Sequence, residues 1–345
     1  YLEGKYISRN ITAAIFFLEF AAERNCADAL YDIGMIYIKG YFVQKDIPKG
    51  IYFLQKAADL KHTLSRFRLG IHLFFGIGVS QNINKSIEYI EFAANQDNAN
   101  AQFMLGMYFY EGVYIKQNLN KSFYYFYRSA QNGEHYGQFA VGFMYTKGEY
   151  VKRDIHQAIH YYKEASSFYN EHAKVNLSII YRHGIEVQKN IGYSLELLKE
   201  AIRQKDDMVA KYNLSHIYLY EEDVNCDVDY LIEMLVHLPF HILLVFALKK
   251  KYDEITDEII EKEVRKHSKE ESSEIIKNVC DLVSENELNS SDNFDLYFNE
   301  IRQNDFMYDI HLHQTYSKDL LNCDSTKEKE RKRKNFAKCI DINSI

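Results

Sequence analysis

Tryptophan is absent from the 345 residues, and proline occurs only twice. So little proline leaves long helices unobstructed, because proline is the residue that removes a helical N–H and clashes with the preceding turn. Aromatic core volume must come from 29 Tyr and 22 Phe instead. The five cysteines, Cys26, Cys226, Cys280, Cys323 and Cys339, form no CxxC pair. They read as free, structural thiols of a reducing compartment. Positive charge is not in excess: 42 Lys and Arg stand against 49 Asp and Glu, a formal net charge of −7. That balance argues against a generally cationic nucleic-acid binder. No Walker A loop, no GxGxxG after a strand, no GxSxG and no HExxH is present. The familiar nucleotide, hydrolase and metalloprotease chemistries therefore find no motif here. No nucleophile–base pair stands out, so no enzyme activity, cofactor or small-molecule substrate is expected.

What the chain has is a period. The stretch Ala101 to Gly112, AQFMLGMYFYEG, reads as an amphipathic helix. Its Leu105-Gly106 pair is preceded at 36-residue steps by Leu69-Gly70 and Ile33-Gly34, and followed by Val141-Gly142 and Leu177-Ser178. Leu214-Ser215 follows one residue late. A fixed period of this length marks stacked repeats.

Each repeat holds two helical segments. The first ends at Gly40, Gly76, Gly112, Gly148 or Gly184, where glycine can take the left-handed conformation that caps a helix. An apolar loop anchor follows: Val43, Val79, Ile115, Val151, Val187. Then comes a favoured N-cap residue, Asp46, Asn82, Asn118, Asp154 or Asn190, announcing the second helix. That helix ends in small residues: Ala21-Ala22, Ala57-Ala58, Ala93-Ala94, Ser129-Ala130, Ala165-Ser166 and Ala201-Ile202. Four residues before each pair stands a large side chain, Phe17, Phe53, Tyr89, Tyr125, Tyr161 or Leu197, expected in the core.

The series A-x-x-x-L-G-x-x-Y-x-x-G-x-x-V-x-x-D/N followed by Ala-Ala resembles the Sel-1-like repeat family, helix–turn–helix repeats related to tetratricopeptide repeats. The fuller copies are Ala29–Asp59, Ser65–Asn95, Ala101–Gln131 and Gly137–Ser167, and the resemblance runs from Tyr1 to about Leu238. Of the family's second loop glycine only Gly78 remains, with Phe42, Tyr114, Tyr150 and Glu186 at the same place. Of the glycine after the Ala pair only Gly133 remains. The resemblance implies an all-α, right-handed α/α superhelix, or solenoid, of about six helix-turn-helix repeats, with first helices lining a concave side. Family members with a disulfide in each repeat are linked to penicillin binding and hydrolysis; the paired cysteines are missing here, so that activity does not carry over.

The expected organisation is a solenoid over residues 1–250, amphipathic capping helices over 251–287, and a linker with a charged tail over 288–345. Tyr1-Leu2-Glu3-Gly4 is in phase with Tyr37-Ile38-Lys39-Gly40, so the chain is expected to begin inside a repeat. Tyr230–Leu248 is the most apolar run, but Glu233, His237, Pro239 and His241 interrupt it, and a buried terminal helix pair is preferred to a membrane span. The tail Lys327–Lys338 is basic and reads as a solvated segment, with a nuclear address or an RNA or lipid contact as the alternative. His156 and His160 have the i, i+4 spacing of a zinc pair, yet other repeats carry no ligands there, and a solvated face is preferred. His237 and His241 flank Pro239, which breaks the helix they would need, and His311/His313 lacks a carboxylate-rich partner set and reads as plain surface. Six N-x-S/T sequons, at Asn10, Asn84, Asn120, Asn176, Asn213 and Asn289, fit an Asn-rich composition better than a glycoprotein, since Asn176 and Asn213 fall mid-helix.

Within the constant scaffold, two columns of the first helices vary. One holds Asp32, Arg68, Met104, Ala140 and Asn176; the other holds Lys39, Phe75, Glu111, Lys147 and His183. At about 100° per residue both are expected to project away from the packed face, where helical or extended peptides could be recognised. The candidate partner-binding residues are therefore Asp32, Lys39, Arg68, Phe75, Met104, Glu111, Lys147 and His183. The expected function is a non-enzymatic, cytoplasmic adaptor whose partners are other proteins or peptide segments, not nucleic acid or membrane. Two alternatives stay open: an interaction module of a larger protein such as a protein kinase, and a luminal adaptor of an endoplasmic-reticulum ubiquitin ligase.

Overall fold

The computed structural model describes residues 10–112, 114–148, 150–168, 170–205, 207–221 and 224. The run Tyr230–Leu248, the expected capping helices of 251–287 and the tail of 288–345 lie outside them. The described residues form twelve α-helices and no strand. In chain order these are α1 (Ile11–Ala22), α2 (Ala27–Lys39), α3 (Ile47–Asp59), α4 (Thr63–Phe75), α5 (Ile83–Asn95) and α6 (Ala99–Glu111). They continue as α7 (Leu119–Gln131), α8 (His135–Lys147), α9 (Ile155–Ser167), α10 (Glu171–His183), α11 (Ile191–Lys205) and α12 (Met208–Tyr220). The fold class is all-α, of the helical-repeat kind. The chain divides into two compact units at Asp154 and Ile155, so the first contains α1–α8 and the second α9–α12. Among the described residues no helix is long and apolar enough to cross a membrane.

The expected punctuation is present. Gly40, Gly76, Gly112, Gly148 and Gly184 have φ between 65° and 70° and end α2, α4, α6, α8 and α10. Each second helix begins one loop later. The side chains of Asp46, Asn82, Asn118 and Asn190 accept the backbone N–H three residues on at 2.9–3.0 Å. The same residues' own N–H groups reach back to first-helix carbonyls: Asp46 to Tyr37, Asn82 to Leu73, Asn118 to Phe109 and Asn190 to Tyr181, at 2.8–2.9 Å. One residue thus starts the second helix and ties it to the first, which fixes the hairpin loop.

The first unit stacks the hairpins α2/α3, α4/α5 and α6/α7 between α1 and α8. Within a hairpin the helices cross where the first has glycine. A Cβ on Gly34 would lie 3.0 Å from the Gly50 carbonyl oxygen, and one on Gly50 would lie 2.6 Å from that of Gly34. At the equivalent of Gly50 the next hairpin has Ser86, whose hydroxyl donates to the Gly70 carbonyl at 2.7 Å. Over the glycine sits a large second-helix side chain: Leu54 on Gly34, Ile90 on Gly70, Phe126 on Gly106. All three are buried. In the second unit Ser178 replaces the glycine, and Ser194 donates to its carbonyl at 2.9 Å.

The large column that crosses the glycine is therefore one residue later than Phe17, Phe53, Tyr89, Tyr125. Of the expected core column Tyr89, Tyr161 and Leu197 are buried, and Phe53 and Tyr125 are half-buried. Phe53 stacks on Tyr37 at 6.0 Å and Tyr125 on Phe109 at 5.9 Å, first helix to second. Phe17 departs from the expected burial: it is 53% exposed. Successive hairpins are joined by side chains that reach the small residues ending a second helix. Arg66 donates to the Ala58 carbonyl at 3.0 Å, and Gln102, one period later, to that of Ala94 at 3.0 Å. Gln102 also donates to Asp97, which is paired with Arg128, and accepts from Asn132 at 2.9 Å. Left-handed backbone persists where glycine has been lost: Asn25, Lys61 and Asp97 share the column of Gly133, and Phe42 and Glu186 that of Gly78. The turns are kept by their surroundings, at an ordinary cost of about 1 kcal/mol per residue.

Two glycine substitutions separate crossing from propensity. Alanine gains about 1 kcal/mol over glycine in a helix interior, but at Gly50 the new Cβ meets a backbone oxygen that cannot swing aside. Gly50→Ala should destabilise by roughly 1–2 kcal/mol, overpacking exceeding the propensity gain. Gly192→Ala, whose nearest neighbour is Asn190 Oδ1 at 3.6 Å, should be neutral or stabilise by up to about 1 kcal/mol. Thermal melts of the two variants check this pair; equal effects would sink the crossing argument.

Candidate functional site

First helices are anchored on one side by their glycine crossing, so the remaining faces decide what a partner could meet. In α2 the buried residues Ala29, Leu30, Ile33, Gly34 and Ile36 form a single stripe. Asp28 and Asp32 are exposed, and Tyr31, Met35 and Lys39 are half-buried. In α4, Leu64 is exposed and Arg68, His72 and Phe75 are half-buried. The open first-helix face thus lies on α2 and α4, and it holds four of the expected residues: Asp32, Lys39, Arg68 and Phe75.

Further along the first unit the face closes. From Ala101 to Tyr110 every residue of α6 except Phe103 is buried, and α8 is buried from Gly137 to Met144. Met104 is 1% exposed and belongs to a core cluster with Phe74, Leu105 and Tyr108. The expectation that Met104 projects outward is therefore corrected, and its column neighbour Ala140 is equally buried at 1%. The sequence contained the signal. AQFMLGMYFY has apolar residues in every sector of the helix, which is the mark of a helix buried all round. Glu111, at the C-terminal end of α6, is also drawn in. Loss of hydration pushes its carboxyl from the ordinary 4.5 to about 7. Lys147 is half-buried at the end of α8. In the second unit His183 is exposed at the end of α10 and Asn176 is half-buried.

The α2/α4 face is electrostatically organised. His62, the N-cap of α4, accepts the Ser65 N–H on Nδ1, so its Nε2 carries the proton that faces Asp28 Oδ1 at 3.1 Å. The Tyr31 ring lies 5.3 Å from that imidazole. Burial and the neighbouring Asp28 charge hold the Asp32 carboxyl above its usual range, with His62 acting in the opposite direction. One turn beyond Arg68, burial lowers His72, opposed by its hydrogen bond to the Ile77 carbonyl at 2.9 Å, and the Arg68 charge lowers it further. An acidic patch on α2 therefore adjoins a cationic and aromatic one on α4. His156 and His160 are exposed, and His160 lies 3.6 Å from Glu164. Among the described residues no group of three or more His, Cys, Asp or Glu could hold a metal ion.

Glu111 gives a pH signature. A carboxyl raised in the folded state contributes stability fully below its unfolded value, and that contribution is lost as pH rises through the folded value. Wild type and Glu111→Gln should therefore be equally stable relative to each other below about pH 4.5 and diverge up to about pH 7. Above that the Gln variant should be the more stable, by at most roughly 3 kcal/mol. Denaturant midpoints measured across this range check it, and a pH-independent difference would refute the buried-carboxyl account.

Comparison with known proteins bears on this geometry. The Sel1 repeat family model matches residues 1–26, 27–62, 63–98, 99–134, 135–167 and 172–206. A Sel1 repeat protein from Oxalobacter formigenes is similar at 28% identity and a TM-score of 0.54, over 57% of this chain and 80% of that one. A protective antigen of uropathogenic Escherichia coli strains with an SLR fold is similar at 20% identity and a TM-score of 0.64. That likeness spans 77% of this chain and 60% of the antigen, and concerns the fold alone. Comparison with curated proteins finds no match. No catalytic family is indicated among the matches.

Proposed function

Because the chain belongs to the Sel1 repeat family, whose repeats are generally protein-interaction modules, we propose that it is a non-enzymatic scaffold that assembles other proteins. The observation that carries this reading is the contrast within one helix type. The glycine crossing, the cap glycine and the N-cap recur, while the solvent-facing residues of α2 and α4 differ from repeat to repeat. A partner segment lying across these helices would meet Asp32 and Lys39 on one and Arg68 and Phe75 on the next. Phe75 supplies the apolar anchor, being half-buried against the core cluster of Phe74 and Tyr108. The charged residues set the register, as rim charges do in interfaces generally. Within the first unit Lys147 stands at another first-helix end, that of α8; His183 holds the equivalent place on α10 of the second unit. The mechanism is binding by shape and mixed charge, with no bond made or broken. Cytoplasmic residence belongs to the same proposal, supported by the free and exposed thiol of Cys26.

Reversal of Lys39 and Lys147 to Glu tests the reading. Crosslinked partners recovered with wild type should fall by about fivefold or more with the double variant, equivalent to roughly 1 kcal/mol. The helical circular-dichroism signal and melting temperature should stay as in wild type. An unchanged partner set with an intact fold would remove these residues from the binding surface.

A further inference from the structure

α7 departs from the repeat at two places. Position 127 is polar or charged in the other copies, where Glu19, Gln55, Glu91, Lys163 and Lys199 stand at 36-residue steps, and here it is tyrosine. Position 123 is isoleucine or leucine in the other copies, and here it is phenylalanine. Burial does not account for the first change, because Tyr127 is 40% exposed. An aromatic ring kept in water at a place where the repeat is otherwise polar calls for another reason.

The two residues belong to one cluster of rings drawn from three elements. Phe123 is its half-buried centre. Tyr127 stacks on it at 6.0 Å, Tyr145 of α8 meets it edge-on at 5.9 Å, and Tyr150, from the loop after α8, tilts against it at 5.5 Å. The ring planes are turned from that of Phe123 by 28°, 88° and 53°, so the surface is ridged and not flat. Tyr150 is 45% exposed. Its loop is held by the Gly148 cap and by the Asp154 N–H, which donates to the Tyr145 carbonyl at 3.1 Å. Burial, then the neighbouring Tyr127 and Asp154, push the Tyr145 hydroxyl above its ordinary value, which keeps it protonated and able to donate. Among the described residues of that loop the exposed charges are Lys152 and Arg153, while Asp154 is half-buried.

We propose that this tyrosine shelf is a second docking surface, separate from the α2/α4 face, and that it takes a proline-rich segment of another protein with acidic residues at one end. The ridged rings offer apolar faces to pyrrolidine rings, and the phenolic hydroxyls offer donors. A polyproline II segment matches both: its carbonyls make no internal hydrogen bond, and its conformation is already set, so little entropy is lost on docking. An amphipathic helix suits the shelf less well, because its carbonyls are already used within the helix. The exposed Lys152 and Arg153 complement the acidic end and fix which way the segment lies.

The test uses the full chain and a fluorescent octaproline peptide ending in two glutamates, read by polarisation. Wild type should bind it at least about tenfold more tightly than a Gly-Ser peptide with the same ending. Replacing the two glutamates by lysines should weaken binding by about threefold or more. Tyr127→Gln, which restores the side chain that Gln55 has in its copy, and Tyr150→Ser should each lose at least about fivefold in affinity with the melting temperature of wild type. Equal affinity for the proline and Gly-Ser peptides, undiminished binding by both variants, or tighter binding of an oligouridylate would each overturn the proposal. So would a large fall in melting temperature of both variants, because it would make the rings braces of the fold. Partner capture through the α2/α4 face is a separate readout, so the two readings fail independently.

Discussion

Everything in the stack depends on how closely the two helices of a hairpin cross. Gly34 and Gly50 bring two backbones within reach of each other's carbonyl oxygens. Gly70 faces Ser86, and Gly106 lies under the Phe126 ring. Without a Cβ at these points the large second-helix residue one turn on can lie directly over the first helix. Leu54, Ile90 and Phe126 then become the interior of each hairpin. A hairpin closed in this way still has apolar surface on its flanks, which is why the fold exists only as a stack.

Stacking places polar side chains at the joints. Arg66 and Gln102 each add a side-chain donor to a terminal carbonyl of the preceding second helix, Ala58 or Ala94, which also accepts the backbone N–H of Lys61 or Asp97. Around Asp97 the joint grows into a network with Arg128, Gln102 and Asn132. Arg128 holds the Asp97 carboxyl below its usual range through a hydrogen bond and its charge. Because Asp97 is exposed, the pair sets register more than it adds stability. The same network keeps Asp97 in the left-handed region, at a turn where Gly133 serves one repeat later.

With crossing and joints fixed, function is left to the surfaces that neither uses. On α2 and α4 that surface is a mixed-charge face with one aromatic anchor. That face sits on helices rather than loops, so a partner would meet a preorganised surface. Local compromises set against an otherwise consistent scaffold are where function is expected to leave its trace.

The period, the capping glycines and the N-caps were all legible in the sequence, because they act over a few residues: φ at Gly40 or the bond from Asn82 to Lys85 depends on local chain geometry alone. The family and the all-α class were legible too, through the resemblance of the recurring A-x-x-x-L-G…D/N and Ala-Ala series to Sel-1-like repeats, which the family model matches. Only the tertiary structure decided which columns are open. Asp32 and Met104 hold the same place in their repeats, yet one is exposed and the other buried. It likewise decided that Leu54, Ile90 and Phe126 lie over the glycines, and that Phe17, expected in the core, is 53% exposed. The physical reason is that a helix's own period gives the direction of a side chain, whereas its burial depends on what packs against that direction from residues far away in the chain.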